Sequence, residues 1–334
     1  MRPWIACLLS PVSCRYSSVM RSAVLISNPS ASQFTGGSFR EVVASLSASF
    51  DLATEWPINA TEASTASARA VEQGVDVVFA MGGDGVAHHV ANALVGTSTA
   101  LGLIPVGTTN VLARVLGVPL VPLDAAKSAT EWRPRPTRVA LVEALTESGK
   151  QTRYATFSLG VGFDADVVSI AESRPYAKVR FGGVHYARTA VGRLLSTWRS
   201  HMPNLRITCE GDRFDGVVAL TQVHSPYTYF GKVPLHLAHD RIDGLATLAV
   251  SNLGILRSSE ILARAVLGRR HRDATGTRLW TAYESLVIEA EPATAFHADG
   301  ELLGMARYLK ITPAHTALLV LRPENQRSDR SAPS

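Results

Sequence analysis

The spacing of hydrophobic and polar positions changes character once along the chain. From Ala23 to Pro119, short apolar runs alternate with longer stretches of helical period. Ala23-Val24-Leu25-Ile26 is a compact apolar run that closes in the turn sequence Ser27-Asn28-Pro29-Ser30. Phe39 to Leu46 reads as an amphipathic helix and Phe50 to Thr54 as a second strand. Thr61 to Gln73 is rich in Ala, lacks Pro and stops at Gly74, which predicts a helix. Val75 to Ala80 predicts a buried strand, followed by a glycine turn and a helix over Val86 to Leu94. Leu101 to Pro105 repeats the arrangement, with Gly107-Thr108-Thr109-Asn110 opening a helix over Val111 to Leu116. Strands that alternate with helices predict a parallel sheet covered on both faces.

Beyond Trp132-Arg133-Pro134-Arg135-Pro136 the helical period gives way to strands. They are expected at Arg138–Ala144, Tyr154–Leu159, Leu205–Glu210, Gly216–Val223, Ala246–Asn252, Ser285–Glu291 and Ala317–Arg322, with helices near Tyr186–Trp198 and Ser258–Leu267. Many short strands with polar turns predict a sandwich or barrel. The fold class is therefore an α/β N-terminal domain with a parallel sheet, joined to a C-terminal β-sandwich domain. The expected division is a leader over 1–21, an α/β domain over 22–135 and a β-sandwich over 136–305. C-terminal strands over 306–322 and a polar tail over 323–334 complete it. In the leader, the apolar run Trp4 to Leu9 is cut short by Ser10-Pro11 and has no small-residue cleavage site, so the sequence reads best as starting at Met20. No apolar stretch approaches the roughly 18 residues of a membrane span, so a protein that touches a membrane without crossing it is expected.

Composition adds little to this picture. A length of 334 residues favours two domains, and 46% hydrophobic with 18% charged residues is ordinary for a globular enzyme. The formal charge of +5 favours anionic partners. The three cysteines, Cys7, Cys14 and Cys209, have neither metal nor disulfide spacing, which points to a reducing compartment.

Candidate chemistry sits in three places. Met81-Gly82-Gly83-Asp84-Gly85 directly follows a strand, where glycines let the backbone turn and approach a phosphate. Half of such turns are only turns, on the order of what glycine's preference for tight loops predicts, but Asp84 changes the reading. A carboxylate beside bound phosphates requires a divalent cation between them, so Asp84 points to a Mg²⁺-nucleotide site. The turn also departs from the dinucleotide fingerprint. Gly107-Thr108-Thr109-Asn110 opens a helix after the next strand and should face the same sheet edge, where ligands of open α/β sheets collect; Thr108 or Thr109 also suits a plain N-cap. Asp299-Gly300-Glu301 is by itself better explained by a solvated hairpin turn. His88 and His89 point about 100° apart on a helix, so one buried and one solvated ring is expected rather than a shared metal.

In their order along the chain, Gly82-Gly83-Asp84-Gly85, Gly107-Thr108-Thr109-Asn110 and Asp299-Gly300-Glu301 resemble the diacylglycerol-kinase catalytic family, which includes bacterial lipid kinases and sphingosine and ceramide kinases. The resemblance runs from Ala23 to Arg322 and includes Asn28-Pro29, Phe163-Asp164-Ala165 and Asp243-Gly244-Leu245. It implies an ATP- and Mg²⁺-dependent kinase acting on diacylglycerol or a similar membrane lipid, with a sphingoid or other long-chain alcohol as the second choice. An NAD kinase and a catalytically silent lipid-binding relative are the alternatives. It also implies that Asn28, Pro29, Ser30, Thr54, Gly82, Gly83, Asp84, Gly85, Thr108 and Asn110 contact ATP. Asp299 would act as general base, Asp84 would hold the catalytic Mg²⁺, and Glu301 would lie beside that metal. Asp243, with the carbonyls of Asp240 and Leu245, would bind a second, structural Mg²⁺.

The chain departs from the family pattern at Val86, at His88-His89, at Val111, at Ser30-Ala31-Ser32 and at Thr247. Basic residues cluster at Lys178, Arg180, Arg188, Arg193 and Arg199, and again at Arg269-Arg270-His271-Arg272. They are expected either as a solvated surface or as a patch that docks on anionic headgroups; no nucleic-acid motif accompanies them. The expected setting is cytoplasmic, at the inner membrane face, with room for a homodimer.

Overall fold

A computed structural model describes residues 20–162, 165, 204–238, 243–252, 255–267 and 274–324. Residues 1–19 of the leader, the expected helix Tyr186–Trp198, both basic clusters, Phe163-Asp164 and Asp240 lie outside the described residues, and Arg21, expected in the leader, already belongs to the first strand.

The N-terminal half contains β1 (Arg21–Ser27), α1 (Gly36–Ser47), β2 (Phe50–Glu55), α2 (Ala60–Glu72), β3 (Val77–Gly82), α3 (Asp84–Leu94), β4 (Ala100–Pro105), α4 (Val111–Val115) and α5 (Pro122–Glu131). The strands pair in parallel in the order β2-β1-β3-β4. Every residue of β3 and β4 is buried, as the unbroken apolar runs require of strands covered on both faces. Helix starts are fixed locally. Thr35 and Ser38 form a capping box on α1, and Asn59 Oδ1 accepts from Glu62 N on α2. α5 was not anticipated from the hydrophobic pattern. Its buried face is only Ala125, Ala126 and Ala129, too small to stand out, although Pro122 in its first turn is a start signal.

The strand-rich half begins with β5 (Pro134–Thr146), β6 (Gly149–Ala155), β7 (Ser158–Gly162), β8 (Leu205–Cys209), β9 (Asp212–Gly216) and β10 (Val218–Gln222). It continues through β11 (Thr228–Phe230), β12 (Val233–Leu235), β13 (Ala246–Val250), α6 (Ile255–Leu267), β14 (Thr277–Thr281), β15 (Leu286–Ala298) and β16 (Glu301–Leu321). Within this half all the pairings are antiparallel. The strands enclose a core of residues such as Leu159, Ile288, Phe296 and Leu309. They do so largely by bending long strands: β15 pairs with β8 through Ala290 and with β7 from Phe296, across a register break after Glu289. The sheet is continuous with that of the first domain, in the order β14-β13-β10-β7-β15-β16-β4-β3-β1-β2.

Two boundaries differ from the sequence expectation. The two cores part between Val139 and Ala140, not at 135, because β5 starts inside the first domain. The return to the first domain starts later than 306. Ala306, Leu309 and Ile311 of β16 still belong to the second core, and only Leu318, Val320 and Leu321 pack in the first, where β16 runs parallel to β4. The strand expected over Tyr154–Leu159 is in fact two, β6 and β7, broken at Thr156-Phe157.

Candidate active site

The register of the parallel strands sets the site. Ser27 lies opposite Met81 and Gly82 opposite Pro105, so the segments after β1, β3 and β4 leave the sheet along one carboxyl edge. β1 has β2 on one side and β3 on the other, which makes the gap between β1 and β3 a switch point. Asn28 N donates to Met81 O at 3.0 Å, and Asn28 Oδ1 accepts from Ser30 N at 2.9 Å, folding Asn28-Pro29-Ser30 into an Asx turn beside the glycine turn. A Cβ on Gly107 would lie 2.5 Å from the Gly83 Cα, so the two glycine segments touch backbone to backbone and only glycine fits. Asn110, at φ 50°, staples its own loop: Oδ1 accepts from Gly107 N at 3.0 Å and Nδ2 donates to Gly107 O at 2.8 Å. Thr108 is exposed at the same edge, bonded through Oγ1 to Ser32 Oγ at 2.9 Å. Thr54 is exposed on β2, one strand away from the glycine turn, and is not brought into the cluster.

Two carboxylates face this edge, Asp84 part-buried and Asp299 fully buried. Asp84 starts α3, but its side chain serves another helix. Oδ2 accepts from Val111 N at 3.0 Å and Oδ1 from Leu112 N at 3.1 Å. Burial pushes its pKa up to about 6, against the pull of those two N–H groups, and the negative charge of Asp299 adds to the rise. Asp299, at φ 56° in the turn between β15 and β16, sits where the chain breaks between β6 and β7. Oδ1 accepts from the backbone N–H groups of Thr156 (3.0 Å), Phe157 (2.8 Å) and Ser158 (3.1 Å). Oδ2 accepts from Thr156 N at 2.8 Å, Thr156 Oγ1 at 2.9 Å and His88 Nδ1 at 2.9 Å. Burial works to raise the Asp299 pKa, but the hydrogen bond and charge of His88 and the N–H groups of Phe157 and Thr156 win, holding it below the usual carboxylate range.

His88 stands one turn along α3 from Asp84 and is buried; His89 is part-exposed, with Nε2 3.8 Å from Glu301 Oε2. Glu301 in turn occupies the space that a Cβ on Gly85 would fill. The Asp299-Gly300-Glu301 turn of the second domain is thus docked on the first turns of α3. Asn92 completes the junction, donating to Tyr154 O at 3.0 Å and accepting from Tyr154 N at 2.9 Å. Beside this junction lies a cleft of about 660 Å³ lined by Thr61, His88, His89, Asn92, Tyr154 and Leu302, among others.

Sequence reasoning found both acids but missed His88, Asn92 and Thr156. The unusual pair His88-His89 was the visible signal for the first. Nothing in the local sequence signals that Thr156 lies at a strand break. The oxygen chemistry of Asp84 and Glu301, beside a backbone cradle of Gly83 and Gly107, fits a hard cation carrying a phosphate.

The second metal site is not assembled among the described residues. No group of three His, Cys, Asp or Glu is arranged to hold an ion among them, and Asp243 is exposed. The Leu245 carbonyl accepts from Ala282 N at 2.9 Å, and Thr247 Oγ1 is buried in a hydroxyl chain with Thr221 (2.8 Å) and Tyr283 (2.6 Å). The described members of that set are one exposed carboxylate and a carbonyl that accepts from the hairpin; Asp240 lies outside the described residues.

The edge is thus a glycine-lined turn on a parallel sheet, met by a carboxylate turn from the strand-rich half. Residues 22–142 match the model of the diacylglycerol kinase catalytic domain, and that part of the chain is similar to the family. The "probable lipid kinase YegS-like" of Xanthomonas oryzae pv. oryzae is 35% identical over 131 residues, 37% of this chain and 40% of that protein. Its counterpart in Klebsiella pneumoniae is 34% identical over 119 residues, 35% of this chain and 37% of the relative. The alignments therefore span about two fifths of the length of these curated relatives. The fold extends further. A diacylglycerol kinase structure from Bacillus anthracis superposes with a TM-score of 0.66 at 20% identity, over 91% of this chain and 97% of that one. Yeast NADH kinase superposes with a TM-score of 0.52 at 8% identity, over 92% and 85%.

Proposed function

We propose that the protein transfers the terminal phosphate of ATP to the hydroxyl of a membrane lipid, with diacylglycerol as the first candidate and a sphingoid or other long-chain alcohol as the second. One observation carries the reading. Asp84 and Asp299, far apart in sequence, come together at the carboxyl edge of the parallel sheet, one part-buried and one buried, close enough for one charge to shift the other. The family match and the lipid-kinase names of the relatives support the same chemistry.

In this reading the backbone of Gly82 to Gly85 and of Gly107 to Thr108 receives the phosphates. Asp84 and Glu301 hold the Mg²⁺ that neutralises phosphate charge when bound. The Asp299 turn provides for removal of the proton from the lipid hydroxyl. No helix among the described residues is long and apolar enough to cross a membrane. Peripheral docking is supported by Trp56 and Ile58, 44% and 86% exposed on the loop that follows β2 at the same edge. The test is transfer from labelled ATP to a panel of diacylglycerol, long-chain bases, other lipid alcohols and NAD. Labelled lipid that depends on Mg²⁺ supports the proposal; label only in NAD replaces it with an NAD kinase.

A further inference from the structure

We propose that Arg135 and Arg322 form a second anion site at the carboxyl edge of the sheet, one that takes a phosphate group, free or as the headgroup of an anionic lipid. The inference goes beyond the kinase reading and does not rest on it.

The topology brings the two arginines together. β16 runs parallel to β4 with Val320 opposite Leu101, so Arg322 continues toward the edge at which β4 ends in Pro105. β5 runs the other way beside β16, with Arg135 opposite Val320 and Pro134 opposite Leu321. The order β3-β4-β16-β5 therefore sets the arginines on the same edge as the glycine turn, but on the far side of β4. A Cβ on Gly117 would meet Pro323 Cγ at 3.4 Å, so the segment after α4 lies against the residue that follows Arg322.

Neutral groups hold the first guanidinium in place. Arg322 Nε donates to Thr137 Oγ1 at 3.2 Å and Nη2 to Pro136 O at 3.1 Å, which leaves its charge uncompensated. Arg135 Nη2 lies 3.2 Å from Glu324 Oε1 on a side chain that is 64% exposed. Arg135 Nε is buried and has no acceptor among the described residues. A buried donor without an acceptor is costly, and an oxyanion arriving from outside supplies one. Burial, and then the nearby charge of Arg135, lower the pKa of Arg322; an anion between the two guanidinium groups relieves both effects.

The surroundings are basic as well. Arg138 Nη2 donates to Val223 O at 3.1 Å, and Arg138 O accepts from His224 Nε2 at 3.0 Å. Burial and the charge of Arg138 hold His224 down to about 4; Arg322 and Asp299 act on the same ring, so the cluster stands beside the Asp299 junction. The described carboxylates at this cluster are Glu324, beside Arg135, and Asp243, which acts on Arg138. Both are exposed and neutralise little. The planar fork of arginine pairs with phosphate oxygens through two parallel N–H groups. Two such forks match the double charge of a phosphate monoester better than the single charge of a carboxylate.

The test is titration calorimetry of the full chain with inorganic phosphate, without nucleotide. It is paired with sedimentation on phosphatidylcholine vesicles with and without phosphatidic acid. Arg135→Gln should weaken phosphate binding at least about tenfold, as loss of a charge-assisted contact requires. Glu324→Gln removes the competing carboxylate and should tighten binding roughly twofold to fivefold. The second variant alters only an exposed side chain, so it decides the matter even if Arg135→Gln fails to fold. Free phosphate and phosphatidate vesicles both bound through Arg135 assign the site to phosphate groups in general; vesicles bound without free phosphate assign it to a lipid headgroup. Wild-type binding in Arg135→Gln, or in Glu324→Gln where the first does not fold, overturns the proposal, as does a wild type that binds neither probe. A chain that labels no substrate yet binds phosphate through Arg135 loses the kinase reading alone. An active kinase whose variants bind as wild type does loses only this site.

Discussion

The turn that opens α3 and the turn between β15 and β16 each bury one aspartate, and burial has opposite results in the two. Asp84 has two N–H groups to offset its desolvation and is driven up to about 6. Asp299 has three N–H groups, a hydroxyl and an imidazole, and is driven down. Burial alone does not decide how a carboxylate behaves; the supply of donors does. The under-supplied acid is the one with capacity left for a cation. The saturated acid is built as a fixed anion that joins two domains.

The comparison breaks if both acids behave alike when neutralised. Asp84→Asn should lower lipid-kinase kcat at least about a hundredfold with only a small loss of Tm, because each of its oxygens faces a single N–H group. Asp299→Asn should lower kcat on the same scale but also lower Tm, because one of its oxygens becomes an amide facing N–H donors. Equal Tm changes in the two would show that the donor count is irrelevant.

The pH dependence of stability separates them next. The Asp84 pKa is raised, so its ionisation works against the fold above about pH 6, and the penalty lifts as pH falls through 6 toward 3.8. At two units this is worth about 3 kcal/mol, so Asp84→Asn should compare best with wild type at pH 8 and worst near pH 4. The depressed Asp299 pKa acts the other way: its contribution is present above 3.8 and lost as pH falls through its lowered value. Denaturant titrations of both variants and wild type, from pH 8 down to well below 3.8, test the signs.

Mg²⁺ gives a smaller effect. An ion bound only by the folded state should raise the wild-type Tm by a few degrees at tens of times its Kd, and should not raise that of Asp84→Asn. Asp243→Ala should respond to Mg²⁺ as wild type does and should change stability by no more than about 0.5 kcal/mol, as at any exposed site. A lost Mg²⁺ response in Asp243→Ala would restore the second metal site. The weakest expected signal is on vesicles, where activity should rise with anionic lipid and fall with salt. Replacing Arg269, Arg270 and Arg272 by Gln should flatten both trends.

The parallel half was legible because its signals are local. Unbroken apolar runs such as Val77-Val78-Phe79-Ala80, ended by Gly82-Gly83, give the strands, their burial and their common edge. In the strand-rich half, positions of strands were readable but their partners were not. Nothing in Leu286 to Ala298 announces that one strand serves β8 and then β7. The site divides the same way. Asp84 and the glycines stood out by composition, and Asp299-Gly300-Glu301 by family resemblance. That Asp299 is saturated depends on a break at Thr156-Phe157, more than a hundred residues earlier in the chain. Donor counts are a property of the assembled fold and have no local code.

The long strand β16 has a consequence for how the molecule comes to exist during synthesis. The sheet of the first domain is complete only when Leu318, Val320 and Leu321 lie beside β4, yet β4 ends at Pro105. As the chain emerges from the ribosome, the earliest-made domain must wait with the open edge of β4 exposed until some two hundred further residues have followed. An unpaired apolar edge held open for that long is a place where a nascent chain meets chaperones or other copies of itself. Shortening the chain before Leu318 should then damage the α/β half rather than the half in which β16 begins.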